Sequence, residues 1–116
     1  MLKTLSTIGV VAALALAPTT NAAPLIGGNG LTGNAWSVVN HIQANYPGVN
    51  SIGGVRACDW VGEHCAGRAV DIMVGGNTAL GNTIHADLLS QRGRFGIKYI
   101  LWGVRDHGDH LHVSVY

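Results

Sequence analysis

An aspartate stands in the middle of an apolar, partly β-branched run, Ala69-Val70-Asp71-Ile72-Met73-Val74. Such a run reads as a buried strand. A carboxylate placed there is costly unless it is paired or bound to a cation. The chain offers partners on both sides: His64 shortly before it, and Asp109-His110-Leu111-His112 near the C-terminus. His64, Asp71 and His112 can all reach one divalent metal. Three protein ligands with an open fourth position is the layout of a catalytic zinc rather than a structural one. Hydrolysis, with peptide bonds as the target, is the resulting expectation.

The spacing supports convergence. His110 and His112 share one face of a strand, since side chains at i and i+2 point the same way. A turn at Gly67 can bring His64 back towards Asp71. Neutral imidazoles with one carboxylate suit zinc and leave one unit of positive charge on it. That charge lowers the pKa of water and polarises a carbonyl. Either Asp109 or His110 can take the proton from water. Asp109 is expected in the turn before the last strand, because regular alternation would aim the two apart. Arg56 is read as a group that binds a substrate carbonyl or carboxylate and stabilises an oxyanion; the other reading is an ion pair with Asp59. His107 reads as a loop histidine, with auxiliary ligation as its alternative. His41 and His85 lie on helices and default to satisfied or surface positions. Trp60 belongs to the cleft mouth, or else to the core or loop packing, and Trp36 and Trp102 to the core. Gly53-Gly54 and Gly75-Gly76 fit turns, not a phosphate loop.

Lys3, an apolar run over Leu5 to Ala17 and the small residues up to Ala23 have the form of a secretory signal peptide. The run is short of the roughly 20 residues that span a bilayer. Cleavage is expected after Ala22. Removing 22 of the 116 residues leaves 94, one small domain with modest reserve. Without Lys3, six Lys and Arg face six Asp and Glu, and no basic stripe marks a polyanion site. The expected product is an extracytoplasmic, cell-wall-associated monomer with no nucleic-acid partner and no membrane attachment after cleavage. Cys58 and Cys65 are expected to form a disulfide bracing the His64 loop. The short loop gives that bond about 2–3 kcal/mol in the entropic description. The competing reading makes both thiolates zinc ligands.

Residues 23–33 read as a flexible Gly- and Asn-rich leader, and 34–116 as the domain. Asn34 is the expected N-cap of a helix over Ala35 to Tyr46, with Trp36, Val39, Ile42 and Tyr46 at helical spacing. Short strands are expected at Ile52 to Arg56, Ala69 to Val74, Ile97 to Trp102 and Leu111 to Val115. A second helix is expected at about 78 to 91, capped by Asn77 and closed by Gly93. The order implies an α+β fold, with helices packed on a small, mostly antiparallel sheet.

His64-Cys65-Ala66-Gly67-Arg68-Ala69-Val70-Asp71 resembles the S-x-H-x-x-G-x-A-x-D motif of the zinc D-Ala-D-Ala carboxypeptidases and related peptidoglycan peptidases. Gly62 stands where that motif carries a small hydroxyl residue. Asp109-His110-Leu111-His112-Val113 resembles their second metal motif, and Gly54-Val55-Arg56 the segment whose arginine contacts substrate. The likeness runs from about Ile52 to Val115 and is greatest to the small exported, actinobacterial-type version. It implies a hedgehog/DD-peptidase-like fold, with His64, Asp71 and His112 on zinc. It also implies Asp109 as base, His110 as a catalytic histidine, and a cell-wall peptide as substrate. A zinc-stabilised module that binds wall peptides without cutting them is the alternative, and a secreted zinc-capturing or toxin-like domain a further one.

Overall fold

The computed structural model describes residues 22–116; the expected signal peptide lies, Ala22 apart, outside them. The elements in order are β1 (Leu25–Ile26), α1 (Gly33–Asn45), β2 (Ser51–Gly53), β3 (Ala69–Met73), α2 (Thr78–Ser90), α3 (Arg92–Phe95), β4 (Ile97–Leu101) and β5 (His110–Val115). The five strands form one mixed sheet in the order β1-β2-β3-β5-β4. β1 runs parallel to β2, and the other neighbours are antiparallel. The α+β class expected from the sequence is therefore the class that folds.

The sheet has two unlike faces, set by the period of two along each strand. Val70 and Ile72 on β3, and Leu111, Val113 and Val115 on β5, enter the apolar core with Val38, Val39 and Ile42 of α1 and Ile84 and Leu88 of α2. The alternate positions, Asp71 on β3 and His112 and Ser114 on β5, occupy the opposite face yet remain buried. The loop between β2 and β3 is closed by the Cys58–Cys65 disulfide, so the thiolate-ligand reading of these cysteines falls away. β4 would break the pattern, because Ile97, Tyr99 and Leu101 have the same parity. A register shift between Ile97 and Tyr99 lets Ile97 stay in the core while Tyr99 and Leu101 turn to the other face, as bulges do.

Several expectations need correction. The stretch read as a flexible leader over 23–33 is part of the fold. Ile52 N–H donates to Pro24 and Gly54 N–H to Ile26, and Ala23 and Leu31 are buried. Glycine content hid two apolar anchors and a short edge strand. Thr32, not Asn34, caps α1, its Oγ1 accepting from Ala35 N–H. Asn34 instead donates from Nδ2 to the Tyr116 carbonyl. This shifts the buried stripe to Ala35, Val38, Val39 and Ile42 and leaves Trp36 38 % exposed. After α2, capped by Asn77 as expected, the chain adds the short α3. Gly96, at φ 64°, takes the left-handed position expected of Gly93.

Two side-chain arrangements outside the sheet carry stability. Gly81 in α2 lies against the Trp102 indole, and a Cβ there would collide with the ring, which Asn82 holds through Nε1 (2.9 Å). Asp87 of α2 joins α1 by accepting from Tyr46 Oη (2.6 Å) and pairing with His41 Nε2 (2.7 Å), and it also accepts from Gln91 (2.6 Å). Burial alone would raise the Asp87 pKa, but these three partners outweigh it and hold it below the ordinary value.

Gly81→Ala should destabilise by about 1–2 kcal/mol, because overpacking exceeds the roughly 1 kcal/mol gain in helix propensity. In a Trp102→Ala background the same change should stabilise; denaturant titration of the four variants checks the reversal. Asp87→Ala should cost about 2 kcal/mol or more at neutral pH, by loss of hydrogen bonds to a charged group. A depressed folded pKa contributes stability that is full above the unfolded value near 4 and lost as pH falls through the folded value. The gap between wild type and Asp87→Ala should therefore narrow below about pH 4, measured by unfolding at neutral and acidic pH.

Candidate functional site

Asp71 lies directly opposite His112 in the β3–β5 pairing, which puts their side chains together on the polar face. His64 arrives from the disulfide-closed loop. There Gly67 adopts φ 74°, its N–H donates to the His64 carbonyl, and Arg68 N–H donates to Glu63. A side chain at Gly67 would collide with the Gly30 carbonyl, so this tight turn requires glycine.

One donor atom from each of His64, Asp71 and His112 lies within 4.8 Å of the others. His64 Nε2 is 3.3 Å and His112 Nδ1 3.1 Å from Asp71 Oδ1. Ligands of a tetrahedral ion with bonds near 2 Å sit about 3.3 Å apart, so the spacing suits coordination. His64 supplies a sharper indication. Its Nδ1 donates to the Gly54 carbonyl (2.9 Å), which leaves a lone pair on Nε2. That nitrogen is buried without a hydrogen-bond partner, although the Asp71 carboxylate is near. Two lone pairs facing each other with no proton between them repel, and a cation between them removes the conflict. This group could hold a metal ion.

The surroundings are strongly polar. Arg56 Nη1 donates to Asp71 Oδ2 (2.8 Å). The alternative partner considered for Arg56, Asp59, instead accepts from Val61 and Gly62 N–H groups. Burial pushes the Asp71 pKa up, but its hydrogen bonds to His112 and Arg56 hold it well below the usual carboxylate range. Burial likewise disfavours a charge on His112, yet carboxylates at both its nitrogens, Asp71 and Glu63, raise its pKa.

Glu63, Tyr99 and Ser114 belong to the site and were missed from the sequence. Glu63 is only 8 % exposed. Its Oε1 accepts from Tyr99 Oη (2.6 Å) and lies 3.0 Å from His112 Nε2, and its Oε2 accepts from Ser114 Oγ (2.9 Å). The usable signal was Ser114, two residues beyond His112 on one strand face, with Tyr99 as its partner on β4.

The site floors a cleft of about 220 Å³, lined among others by Arg56, Glu63, His64, Tyr99, His107 and His112. His107 therefore reaches the cleft. Its Nδ1 donates to Arg105 (3.0 Å), and its ring lies 6.0 Å from that of His112. Asp109 lies in the turn before β5 and accepts from His110 Nδ1 (2.8 Å); neither of the two is among the lining residues. Trp60, 98 % exposed, has no packing role, and Val61 beside it lines the cleft. A wider, shallower groove of about 400 Å³ runs along α1 and α3 past His41, Arg94 and Phe95. It holds no such donor group, and its His41 is already paired with Asp87.

A metal ion at 100 times its Kd should stabilise the protein by about 2.7 kcal/mol. The shift should vanish in His64→Ala, measured by thermal unfolding with and without metal.

No helix among the described residues is long and apolar enough to cross a membrane. Comparison with curated proteins gives no match, and neither does comparison with solved structures. Residues 27–108 match a family model described as VldE, C-terminal domain. The match takes in Arg56, Glu63, His64 and Asp71 and ends before Asp109, His110 and His112. With most of its length matched, the chain belongs to the VldE C-terminal domain family.

Proposed function

We propose that the chain is an exported zinc-dependent peptidase that hydrolyses peptide bonds in the stem or cross-link peptides of peptidoglycan, on a hedgehog/DD-peptidase-like fold. The observation that carries the reading is the buried His64, Asp71 and His112 group, with its unpartnered His64 Nε2, at the floor of an open cleft. Two imidazoles and a carboxylate suit zinc. Zinc at this position supplies Lewis acidity towards water and towards a substrate carbonyl.

The residues of the chain supply the rest. Arg56 spends Nη1 on Asp71 and lines the cleft, so its other N–H groups are free to donate to a substrate carbonyl as negative charge develops there. Proton transfer falls to the rim. Asp109 accepts from His110 Nδ1, which leaves Nε2 of a neutral His110 ring as the proton acceptor. His107 is oriented in the same sense by the Arg105 carbonyl, and its ring lies 4.9 Å from that of His110. We assign base and acid work to this histidine pair, with Asp109 orienting His110.

The experiment is to purify the chain without residues 1–22, measure bound metal, and follow peptide release from muropeptides. Zinc near one equivalent and turnover abolished reversibly by a chelator are expected. His110→Ala should lower kcat about 10²–10⁴-fold, the range of a general acid–base group. A zinc-loaded protein that binds muropeptides without cutting them would reject the peptidase reading.

A further inference from the structure

We infer that Glu63 is a positioning residue of the metal centre: its carboxylate, held by Tyr99 and Ser114, fixes His112 so that Nδ1 is the nitrogen offered to the ion. The inference rests on the reading that His64, Asp71 and His112 hold a metal.

An imidazole can ligate through either nitrogen, and β5 alone does not choose between them. The ring of His112 sits between two carboxylates. Nδ1 is 3.1 Å from Asp71 Oδ1, and Nε2 is 3.0 Å from Glu63 Oε1. An ionised carboxylate only accepts, and both carboxylates call for a hydrogen from the ring; Asp71 belongs to the group that could hold an ion and Glu63 does not, so with an ion on the Asp71 side the hydrogen kept by the ring faces Glu63. In the neutral ring the lone pair then belongs to Nδ1, on the side of Asp71 and His64. Glu63 is itself fixed. Tyr99 Oη donates to Oε1 and Ser114 Oγ to Oε2, and the Glu63 carbonyl accepts from Arg68 N–H. Every acceptor bond of this buried carboxylate thus comes from a residue of the polar sheet face.

His64 is oriented on the same principle by the Gly54 carbonyl. One short segment, Glu63-His64, therefore supplies a ligand and also orients a second ligand on a strand far away in the sequence. Such outer partners of ligating histidines tune affinity by about 10- to 100-fold. Glu63 also brings a second negative charge beside Asp71, which favours a dication over none.

The test measures Zn²⁺ and Co²⁺ affinity by competition with a chromophoric chelator, in the wild type and in Glu63→Gln, Glu63→Ala, Tyr99→Phe and Ser114→Ala. The visible spectrum of each Co²⁺-saturated protein and the unfolding of each metal-free protein accompany it. Affinity about 10- to 100-fold weaker in both Glu63 variants, with an altered Co²⁺ spectrum, supports the inference. Tyr99→Phe and Ser114→Ala should shift both readouts in the same direction by less, and they carry the test if the Glu63 variants do not fold. Wild-type affinity and an unchanged Co²⁺ spectrum in the folded variants would overturn it. A wild type that binds neither metal removes the metal reading itself, a result distinct from equal binding by all variants.

Discussion

One buried carboxylate organises this molecule. Asp71 lies on β3, the central strand of the sheet, which pairs with β2 on one side and β5 on the other. An unpaired charge there would cost several kcal/mol. Arg56 and His112 meet that demand, and His64 stands close by with its Nε2 unpartnered. Arg56 and His64 come from the β2–β3 loop and His112 from β5. The electrostatic need of a single side chain therefore draws the β2–β3 loop, the central strand and the last strand to one point.

The two-faced sheet makes this affordable for a small domain. Apolar positions on β3 and β5 pack on the helices, and their alternates build a polar cluster under the disulfide-closed loop. Usually the second face of such a sheet meets solvent. Here it is shielded enough for hydrogen bonds and charge pairs to act at reduced dielectric, while the cleft leaves one side open. The bulge in β4 lets one strand serve both faces, giving Ile97 to the core and Tyr99 to the site.

Much of this was legible in the sequence. Asp71 inside an apolar strand announced a buried charge, and His110, His112 and the turn at Gly67 indicated how partners reach it. The Asn77 cap and the major strands followed from local rules. What escaped depends on register. Glu63 looks like an ordinary loop acid until Ser114 and Tyr99 are known to face it, and no local pattern states which strands pair. The edge strand at Leu25–Ile26 escaped because two residues carry no periodicity. Thr32 and Asn34 are both good caps, and burial of the Ala35-Val38-Val39-Ile42 stripe decided between them.

The opposition of Asp71 and His112 has a meaning for the folding chain. Sliding β5 by one residue against β3 would set Leu111 or Val113 beside the carboxylate, and would turn the imidazole towards the helices. The first error strands a charge and the second a polar ring against hydrocarbon. Chemistry at the cleft thus works as a lock on strand alignment, penalising misthreaded sheets before any ligand arrives.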